Sequence, residues 1–342
     1  MISVRRQVQM FIVLAALVAG FVAATSPGPA SAAGWRSSAT DPKFTIAVIP
    51  DTQLEVLKSS DRRFIERTQW LARHRRQLNL RFVSHVGDVV NWGWLDSRQY
   101  TIATRAMRVL DWSGIPYAMS VGNHDTRAVD VGGSAYANNP DCVKRFTKAE
   151  CNGFSLVRHS EEFNKAFPAS RMRGLQGTLQ KGKVDNSYST FTAGGKDWLV
   201  LNLEMWPRYP VLTWARTVVA DHPHHNVIVQ THSYLNPDAT ITTFDSSYNM
   251  ISPRYLYDHL IRAYPNIKLV LSGHDGTTAS RTDTGDEGNE IVSLLTAIHS
   301  TKTNPMRLIE MDTASGKLRT WIYSSHTNET GATSSFPLSF VN

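Results

Sequence analysis

Short apolar runs alternate along the chain with stretches in which apolar residues recur at helical spacing. Runs rich in β-branched and aromatic residues predict strands at 44–49, 80–86, 117–121, 188–191, 198–203, 227–230, 267–271, 291–298, 306–311 and 317–323. The helical spacing predicts helices at 61–78, 97–111, 211–220 and 253–263. This alternation is typical of an α/β protein, and the turn at 313–316 predicts an antiparallel pairing of the last two strands.

Residues 126–185 interrupt the alternation. They are rich in glycine, asparagine and charge, have weak periodicity and contain both cysteines, Cys142 and Cys151. A long segment of this kind in a compact enzyme is usually a lid or a binding loop. We therefore expect an insertion over one end of the sheet. Neither a linker nor an internal repeat divides the sequence 33–342, which predicts one domain.

The first 32 residues have the pattern of an export signal. Arg5 and Arg6 precede an apolar run at 10–24, and small residues follow as far as Ala32, after which cleavage is expected. The run is shorter than the roughly 20 residues that span a bilayer, so a transmembrane anchor is the weaker interpretation. The sequence thus predicts a secreted protein without a transmembrane segment in its mature form.

The expected export affects whether Cys142 and Cys151 are oxidised. In an exported protein a close pair of cysteines forms a disulfide more often than a metal site. Two free thiols are the alternative. The sequence favours the disulfide.

Composition narrows the classes of function. With 42% hydrophobic and 19% charged residues, the chain has the profile of a globular protein, which excludes disorder, collagen and coiled coil. Loss of Arg5 and Arg6 would reduce the net charge from +7 to +5. Because no dense stripe of lysine and arginine is present, specific nucleic-acid binding is not expected.

Five predicted strands end in the same way: an apolar run stops and a residue that can bind metal follows. The endings are Ile49-Pro50-Asp51-Thr52-Gln53, Val86-Gly87-Asp88, Val121-Gly122-Asn123-His124-Asp125, Val229-Gln230-Thr231-His232 and Leu271-Ser272-Gly273-His274. In an open α/β sheet the carboxyl ends of the strands meet at one crevice. One such ending would be ordinary turn chemistry, but five in series indicate a shared site.

Two polar residues near these ends have an open interpretation. His85 directly precedes the Val86 ending, and a hydrogen-bonded core histidine is favoured over a site residue. Glu204 follows the strand at 198–203 and either supports the site from behind or lies in a solvated turn.

The series resembles the calcineurin-like metallophosphoesterases, whose motifs are Asp-x-His, Gly-Asp, Gly-Asn-His-Asp or Glu, a lone His, and Gly-His-x-His. The resemblance covers about residues 44–323 and is most specific at 122–125. It implies a four-layer αββα sandwich in which helices flank two central mixed sheets, with strands near the C-terminus completing the second sheet. It also implies two divalent metal ions and a phosphate-ester substrate.

The resemblance assigns roles residue by residue. Asp88 matches the carboxylate that bridges the two ions, and Asn123, His232 and His274 match the other ligands of the second ion. His124 matches the residue that donates a proton to the leaving oxygen or stabilises its charge, and Asp125 is expected to orient the ring of His124. The implied reaction is in-line attack by metal-bound hydroxide, without a covalent phosphoenzyme.

The first metal site departs from the family pattern. Gln53 and Gly276 occupy the positions of two histidines, so that Asp51, Asp88 and the carbonyl oxygen of Gln53 remain, while Asp275 is expected to point elsewhere. An oxygen-rich site favours harder ions such as Mn, Mg, Ca or ferric iron over Zn. The sequence leaves open whether two ions bind or only one.

We therefore expect a secreted metal-dependent hydrolase of a phosphomonoester or phosphodiester. The alternative is a non-catalytic module of the same fold that binds anionic ligands through one metal. A serine or cysteine hydrolase has little support, because no Gly-x-Ser-x-Gly motif is present and both cysteines lie in the insertion. The motifs encode neither the substrate nor the oligomeric state.

Overall fold

Two β-sheets form the centre of the protein, a computed structural model that describes residues 38–245, 247–248 and 250–341. The first sheet has the order β13-β12-β11-β1-β2-β3. Its strands are β1 (Lys43–Ile49), β2 (Leu80–His85), β3 (Tyr117–Met119), β11 (Pro305–Asp312), β12 (Lys317–Ser324) and β13 (Glu329–Pro337).

The second sheet has the order β4-β5-β6-β7-β8-β10-β9. Its strands are β4 (Leu175–Thr178), β5 (Ser187–Ala193), β6 (Lys196–Asn202), β7 (His225–Gln230), β8 (Ile267–Ser272), β9 (Thr278–Thr284) and β10 (Glu290–Thr296). Both sheets are mixed: β1, β2 and β3 run parallel in the first, and β6, β7, β8 and β10 run parallel in the second. The loops that follow the parallel strands of one sheet therefore all leave at the same edge.

Helices cover the outer face of each sheet. The helices are α1 (Arg63–His74), α2 (Ser97–Ser113), α3 (Cys142–Arg145), α4 (Gly153–Leu156), α5 (Glu161–Ala166), α6 (Tyr209–Ala220) and α7 (Pro253–Leu256), which continues as the π-helical turn Tyr257–Ile261. The apolar sides of α1 and α2 pack on the first sheet, and those of α6 and α7 pack on the second. The chain thus has a helical layer on either side.

A third apolar cluster lies between the sheets. Phe44, Ile46 and Val48 of β1 face the second sheet, while Ala47 and Ile49 face the helices, as the two-residue period of a strand requires. Together the clusters define four layers, helix–sheet–sheet–helix. The predicted αββα sandwich with two central mixed sheets is confirmed.

The C-terminal strands are distributed differently from the expectation. The strand predicted at 291–298 lies in the second sheet, but β11, β12 and β13 extend the first sheet, where β11 pairs antiparallel with β1. Strands β4, β9 and β13 are not predicted by the sequence pattern. Their side chains are polar and mostly half-buried or exposed, so they lack the apolar alternation that marks a strand.

The segment 126–185 contains short helices and turns as well as the edge strand β4. Cys142 and Cys151 form the predicted disulfide there, with their Cα atoms 5.9 Å apart. Apolar residues of the segment, such as Tyr136 and Leu156, pack in one cluster with Met205 and Trp206 from the loop after β6. The segment is therefore attached to the edge of the second sheet.

Buried charges reinforce this attachment. Glu204 pairs with Arg208 at 2.8 Å and with Arg158 of the segment at 3.3 Å. Arg158 also donates to the backbone carbonyls of Met205 and Trp206. Glu204 is therefore buried rather than in a solvated turn. Its carboxylate pairs with arginines and holds the segment to the loop after β6.

The predicted signal peptide, residues 1–32, lies outside the described residues. Within the described part of the chain, no helix combines the length and the apolar character needed to cross a membrane.

Candidate metal centre

Loops from both sheets meet at the carboxyl ends of the parallel strands. Asp51, Asp88 and Asn123 follow β1, β2 and β3 of the first sheet, and His232 and His274 follow β7 and β8 of the second. The two sheets thus contribute different chemistry: the first supplies oxygen atoms and the second supplies imidazoles. The site lies across the gap between the sheets.

Asp88 occupies the middle of this group. Its Oδ2 lies 3.2 Å from Nε2 of His232 and 3.5 Å from Nε2 of Gln53, while its Oδ1 accepts a hydrogen bond from the backbone N–H of His124 at 2.9 Å. One carboxylate oxygen therefore faces the residues expected at both metal positions. This is the arrangement that a bridging ligand needs.

His232 and His274 form the second half of the site with Asp88. One possible ligand atom from each of these residues lies within 4.8 Å of the others. His232 is fully buried, and its Nδ1 donates to the carbonyl of Val86 at 2.8 Å, which leaves Nε2 to face Asp88. Its ring is therefore held in the orientation and tautomer that a metal ligand requires.

Asp51 and Gln53 form the first half. Oδ2 of Asp51 accepts from the backbone N–H of His274 at 3.1 Å, so this carboxylate touches the loop of the second sheet. The amide of Gln53 faces Asp88 through Nε2, and a half-turn of the amide would direct its carbonyl oxygen to the same point. The residues predicted from the first motif are thus brought to Asp88.

Several of these side chains have buried polar atoms that lack a hydrogen-bond partner among the described residues. Four buried atoms make no hydrogen bond within the described chain: Asp51 Oδ1, Gln53 Oε1, Asn123 Oδ1 and His232 Nε2. An unpartnered buried polar atom costs about 1–3 kcal/mol, so such atoms on four of the predicted ligands favour a bound partner. Three oxygens and one imidazole nitrogen suit a divalent cation. The donor set therefore fits a metal ion.

Glycines leave room for the acidic ligands. A Cβ on Gly122 would lie 2.1 Å from Oδ1 of Asp88, and a Cβ on Gly273 would lie 2.3 Å from Oδ1 of Asp51. No other residue fits at these positions without moving a carboxylate. This close approach explains why glycine precedes Asn123 and His274 in the sequence.

The backbone is strained at two of the predicted ligands. Asp88 has φ 49° and His274 has φ 76°, in the left-handed region that residues other than glycine avoid. Such conformations cost about 1–3 kcal/mol and concentrate at functional sites. The loops after β2 and β8 are therefore shaped by the requirements of the site.

His124 faces the site through Nε2, which lies 4.0 Å from Oδ2 of Asp88. Its Nδ1 contacts two acceptors of Asn91, the backbone carbonyl at 2.9 Å and the side-chain oxygen at 2.7 Å. Nδ1 therefore carries a proton, and the orientation of the ring is set by Asn91.

The expectation that Asp125 orients the ring of His124 is wrong. Its carboxylate does not contact the ring of His124, because it accepts from the backbone N–H groups of Gly122 at 2.9 Å and Val90 at 3.1 Å. Burial and the charge of Asp88 raise the pKa of Asp125. Asp125 thus holds the loops after β2 and β3 together from behind the site.

The charges within the site are strongly coupled. Burial opposes ionisation of Asp88, but His232 and His124 outweigh it and hold the pKa of Asp88 below its ordinary value. Burial also disfavours the charged form of His232, yet Asp88 raises the pKa of His232 to about 10. For His274, burial and the neighbouring His232 lower the pKa to about 4. Asp88 and His232 therefore stabilise each other's charged forms.

His299 also lies in the first half of the site, although none of the family motifs contains it. It lies in the loop after β10, and its Nε2 is 2.9 Å from Oδ2 of Asp51 and 3.2 Å from Nε2 of Gln53. The sequence does contain a signal: a predicted strand ends at Ile298 and His299 follows directly, as in the five other endings.

Tyr248 lies at the rim of the site. Its ring centroid is 6.3 Å from that of His274, and it belongs to the apolar cluster of the segment 126–185. The segment therefore reaches the second half of the site through Tyr248.

Comparison with solved structures agrees with this architecture. A dimetal phosphatase of Danio rerio superimposes with a TM-score of 0.52 and 14% sequence identity, over 86% of this chain and 99% of that chain. At this identity the likeness concerns the fold. The shared fold and the cluster of possible metal ligands are those of the metallophosphoesterase class.

The chain belongs to the calcineurin-like phosphoesterase family, which it matches over residues 44–277. The resemblance drawn from the motifs is thereby confirmed. Among curated proteins, the uncharacterized protein YvnB of Bacillus subtilis strain 168 is 27% identical over 247 residues. That match spans 72% of this chain but only 16% of the length of YvnB.

Proposed function

We propose that the protein hydrolyses a phosphoric monoester or diester with the help of two divalent cations. The observation that carries the proposal is the cluster of Asp88, His232 and His274, whose possible ligand atoms come from loops of both sheets and lie within 4.8 Å of one another. Membership of the phosphoesterase family gives the reaction class.

The chain offers two overlapping sets of ligands. Asp51, Gln53 and Asp88 would hold the first ion, and Asp88 with Asn123, His232 and His274 would hold the second. When bound, such a pair of ions activates water and neutralises charge on the phosphoryl oxygens. The first set contains more oxygen, so we propose that it prefers Mn, Mg, Ca or iron over Zn.

His124 would act on the leaving group. Because Asn91 holds Nδ1, the second nitrogen of the ring is free to hold a proton and faces the site, where 17% of the side chain is exposed. A proton on Nε2 can pass to the leaving oxygen or stabilise its negative charge. Asn91 is in this account a positioning residue.

The test is hydrolysis of aryl phosphate monoesters and diesters by the purified protein. We expect activity that is abolished by a chelator and restored by individual divalent metals, with the preferred ester revealed by the relative kcat/KM. Asp88→Asn should reduce activity at least about 1000-fold, since it removes the shared ligand. The matched control is Asp238→Asn, an exposed aspartate whose side chain bonds only to Thr240 among the described residues.

Activity that survives chelation, or that survives Asp88→Asn, would contradict the proposal. Binding of one ion without turnover of any ester would instead support the non-catalytic module considered above.

We further propose that the protein is exported and works outside the cytoplasm. The supports are the signal-like pattern of residues 1–32 and the disulfide between Cys142 and Cys151, a bond typical of oxidising compartments. Expression of the full chain with fractionation tests this, and N-terminal sequencing of the exported form should begin after Ala32. Retention in the cytoplasm with both thiols reduced would refute it.

A further inference from the structure

We propose that His299 supplies an imidazole ligand to the first metal ion and so replaces the two histidines that the family motifs lack at Gln53 and Gly276. The inference rests on the proposed metal-dependent function. Its direct observation is the position of Nε2 of His299, 2.9 Å from Oδ2 of Asp51 and 3.2 Å from the amide of Gln53. His299 thus contacts both residues that are specific to the first half of the site.

Gly276 lies beside this imidazole. A Cβ on Gly276 would lie 4.0 Å from Nδ1 of His299, and no other heavy atom of the described residues would lie as close, its chain neighbours aside. A histidine side chain extending from position 276 would enter the space of the His299 ring. The two positions therefore border the same space, so that an imidazole can reach it from either one.

A buried arginine fixes the loop that carries His299. Arg63 of α1 is 7% exposed, and it donates to the carbonyls of Ser300 and Thr303. The same guanidinium donates to the carbonyl of Leu54 at 3.1 Å, next to Gln53. One side chain therefore ties the loop of His299 to the loop of the first motif.

A second tie lies further along the same loop. Asn304 donates to the backbone carbonyl of Arg63 at 2.8 Å, and its own carbonyl accepts from Arg67 at 3.1 Å. Arg67 is fully buried and paired with Glu55. The loop 299–304 is thus built into the core beside α1, although 34% of the His299 side chain is exposed.

His299 completes a chemically sensible donor set. Asp51 Oδ1 and Gln53 Oε1 are buried and unpartnered within the described chain, and His299 adds one nitrogen to these oxygens. A mixed set of carboxylate, amide oxygen and imidazole suits Mn or Fe. The first half of the site then has one imidazole, and the second half has two.

The test measures metal content, and the probe is Mn²⁺. Metal-free protein is titrated with Mn²⁺ and the bound ions are counted by elemental analysis. We expect two ions per chain in the natural protein and one in His299→Ala, with first-site affinity lowered at least about 100-fold, since loss of a supporting residue alone costs 10- to 100-fold. Electron paramagnetic resonance should show the signal of a coupled pair in the natural protein and an isolated six-line Mn²⁺ signal in the variant.

Two further variants sharpen the result. His326→Ala is the matched control, because His326 forms a similar histidine–carboxylate pair with Glu66 at 2.8 Å outside the site, and it should still bind two ions. His299→Ala combined with Gly276→His should regain the second ion and the coupled signal, because the new imidazole enters the vacated space. Circular dichroism checks that every variant is folded.

The outcomes separate this inference from the proposed function. Two ions with unchanged affinity in a folded His299→Ala variant would overturn the role of His299 and leave the proposed function intact. A single ion in the natural protein, lost in Asp88→Asn, would overturn the first site altogether. Failure of the natural protein to bind any Mn²⁺, Fe²⁺ or Zn²⁺ would remove the proposed function itself.

Discussion

His124 is held by groups that leave a single nitrogen available for chemistry. Its Nδ1 faces two oxygens of Asn91, so the ring cannot turn without losing both contacts. A ring held in this way is already oriented for the leaving oxygen, so it loses little rotational freedom in the reaction. At the scale of the residue, this arrangement predicts that the activity lost when His124 is replaced depends on the leaving group of the ester.

Replacement of His124 by Asn should reduce the hydrolysis of alkyl phosphate esters by about 10²- to 10⁴-fold, the usual contribution of a general acid. Esters with a good leaving group such as 4-nitrophenolate need little protonation and should lose much less activity. The measurement is kcat/KM across esters of graded leaving-group pKa, with His326→Asn as control. Equal losses for all esters would contradict proton donation by His124.

His85 is a second histidine whose surroundings fix its protonation. It is fully buried; its Nε2 lies 3.1 Å from the hydroxyl of Thr52, and its Nδ1 accepts from the backbone N–H of Gly87 at 3.3 Å. The Thr52 hydroxyl donates to Val89, so Nε2 of His85 is the donor of the first contact. The favoured interpretation of His85 as a hydrogen-bonded core residue agrees with these contacts.

Burial, with the charge of Arg67, lowers the pKa of His85 to about 3. In the unfolded chain the residue takes up its proton near pH 6.5. Between these values the unfolded state binds one more proton, so the free energy of unfolding should fall by about 1.4 kcal/mol for each pH unit below 6.5. Urea unfolding in the presence of chelator at several pH values measures this slope, which should be smaller in His85→Gln. Equal slopes in both proteins would show that His85 is not the cause.

At the scale of the element, the segment 126–185 is held at both of its ends: β4 pairs with β5, Phe163 and Phe167 pack in the core of the first sheet, and the part around Leu156 packs on the loop after β6. Arg158 contributes to this last contact, since it pairs with Glu204 and donates to two carbonyls of the loop after β6. The segment also reaches Tyr248 beside His274. Its attachment therefore bears on the access of substrate to the second half of the site.

Loss of Arg158 should loosen this segment. Arg158→Ala removes hydrogen bonds of a charged group worth about 1.5–3 kcal/mol, which would raise the population of local opening around residue 158 about 10- to 100-fold. Limited proteolysis should then cut within 126–185 faster, and KM should rise more than kcat falls. The control is Arg173→Ala, an exposed arginine of the same segment. Unchanged proteolysis would mean that other contacts hold the segment.

The elements also show what a sequence can predict. Buried strands such as β1 and β8 are predicted to within a residue or two, because both faces are apolar and the runs are continuous. The polar edge strands β9 and β13 have no such run and are missed. Asp51 and Asp88 lie at one edge of the first sheet because parallel strands share an edge, whereas the approach of His232 to Asp88 depends on how the two sheets pack.

Contacts between distant loops are the part that the sequence could not provide. The partner of His124 is Asn91 rather than the adjacent Asp125, and this depends on how two loops meet. His299 directly follows a predicted strand, as the other site residues do, but the family motifs place the corresponding histidine at position 276. Its proximity to Asp51 depends on the path of the loop that Arg63 holds.

At the scale of the whole molecule, the packing between the sheets changes character towards the site. Trp198 and Val200 of β6 belong to the apolar layer between the sheets, but Asn202 at the end of β6 and Gln230 at the end of β7 are buried and polar. Nε2 of Gln230 donates to the carbonyl of His85 at 2.9 Å, in the opposite sheet. Directional bonds thus fix the relative position of the sheets directly beneath the metal centre.

Replacement of Gln230 by Leu would remove the donor from three acceptors, the carbonyl of His85, the hydroxyl of Ser120 and the side-chain oxygen of Asn202. We expect a loss of about 2–3 kcal/mol in the free energy of unfolding, with weaker metal binding because the sheets supply different ligands. Urea unfolding and Mn²⁺ titration measure both effects, with exposed Gln176→Leu as control. A loss below about 0.5 kcal/mol would contradict this account.

The origin of the ligands in two separate sheets has a mechanical consequence. Cations bound there would link the two sheets at the edge where the residues between them, such as Asn202 and Gln230, are polar. By mass action, ligand at 1000 times its dissociation constant adds about 4 kcal/mol of stability, so Mn²⁺ should raise the melting temperature and a chelator should lower it. Amide hydrogen exchange at the strand ends beneath Asp88 and His232 should slow on loading far more than exchange at the opposite rim. Such a pattern would make the cations a clasp between the two layers as well as the catalytic centre.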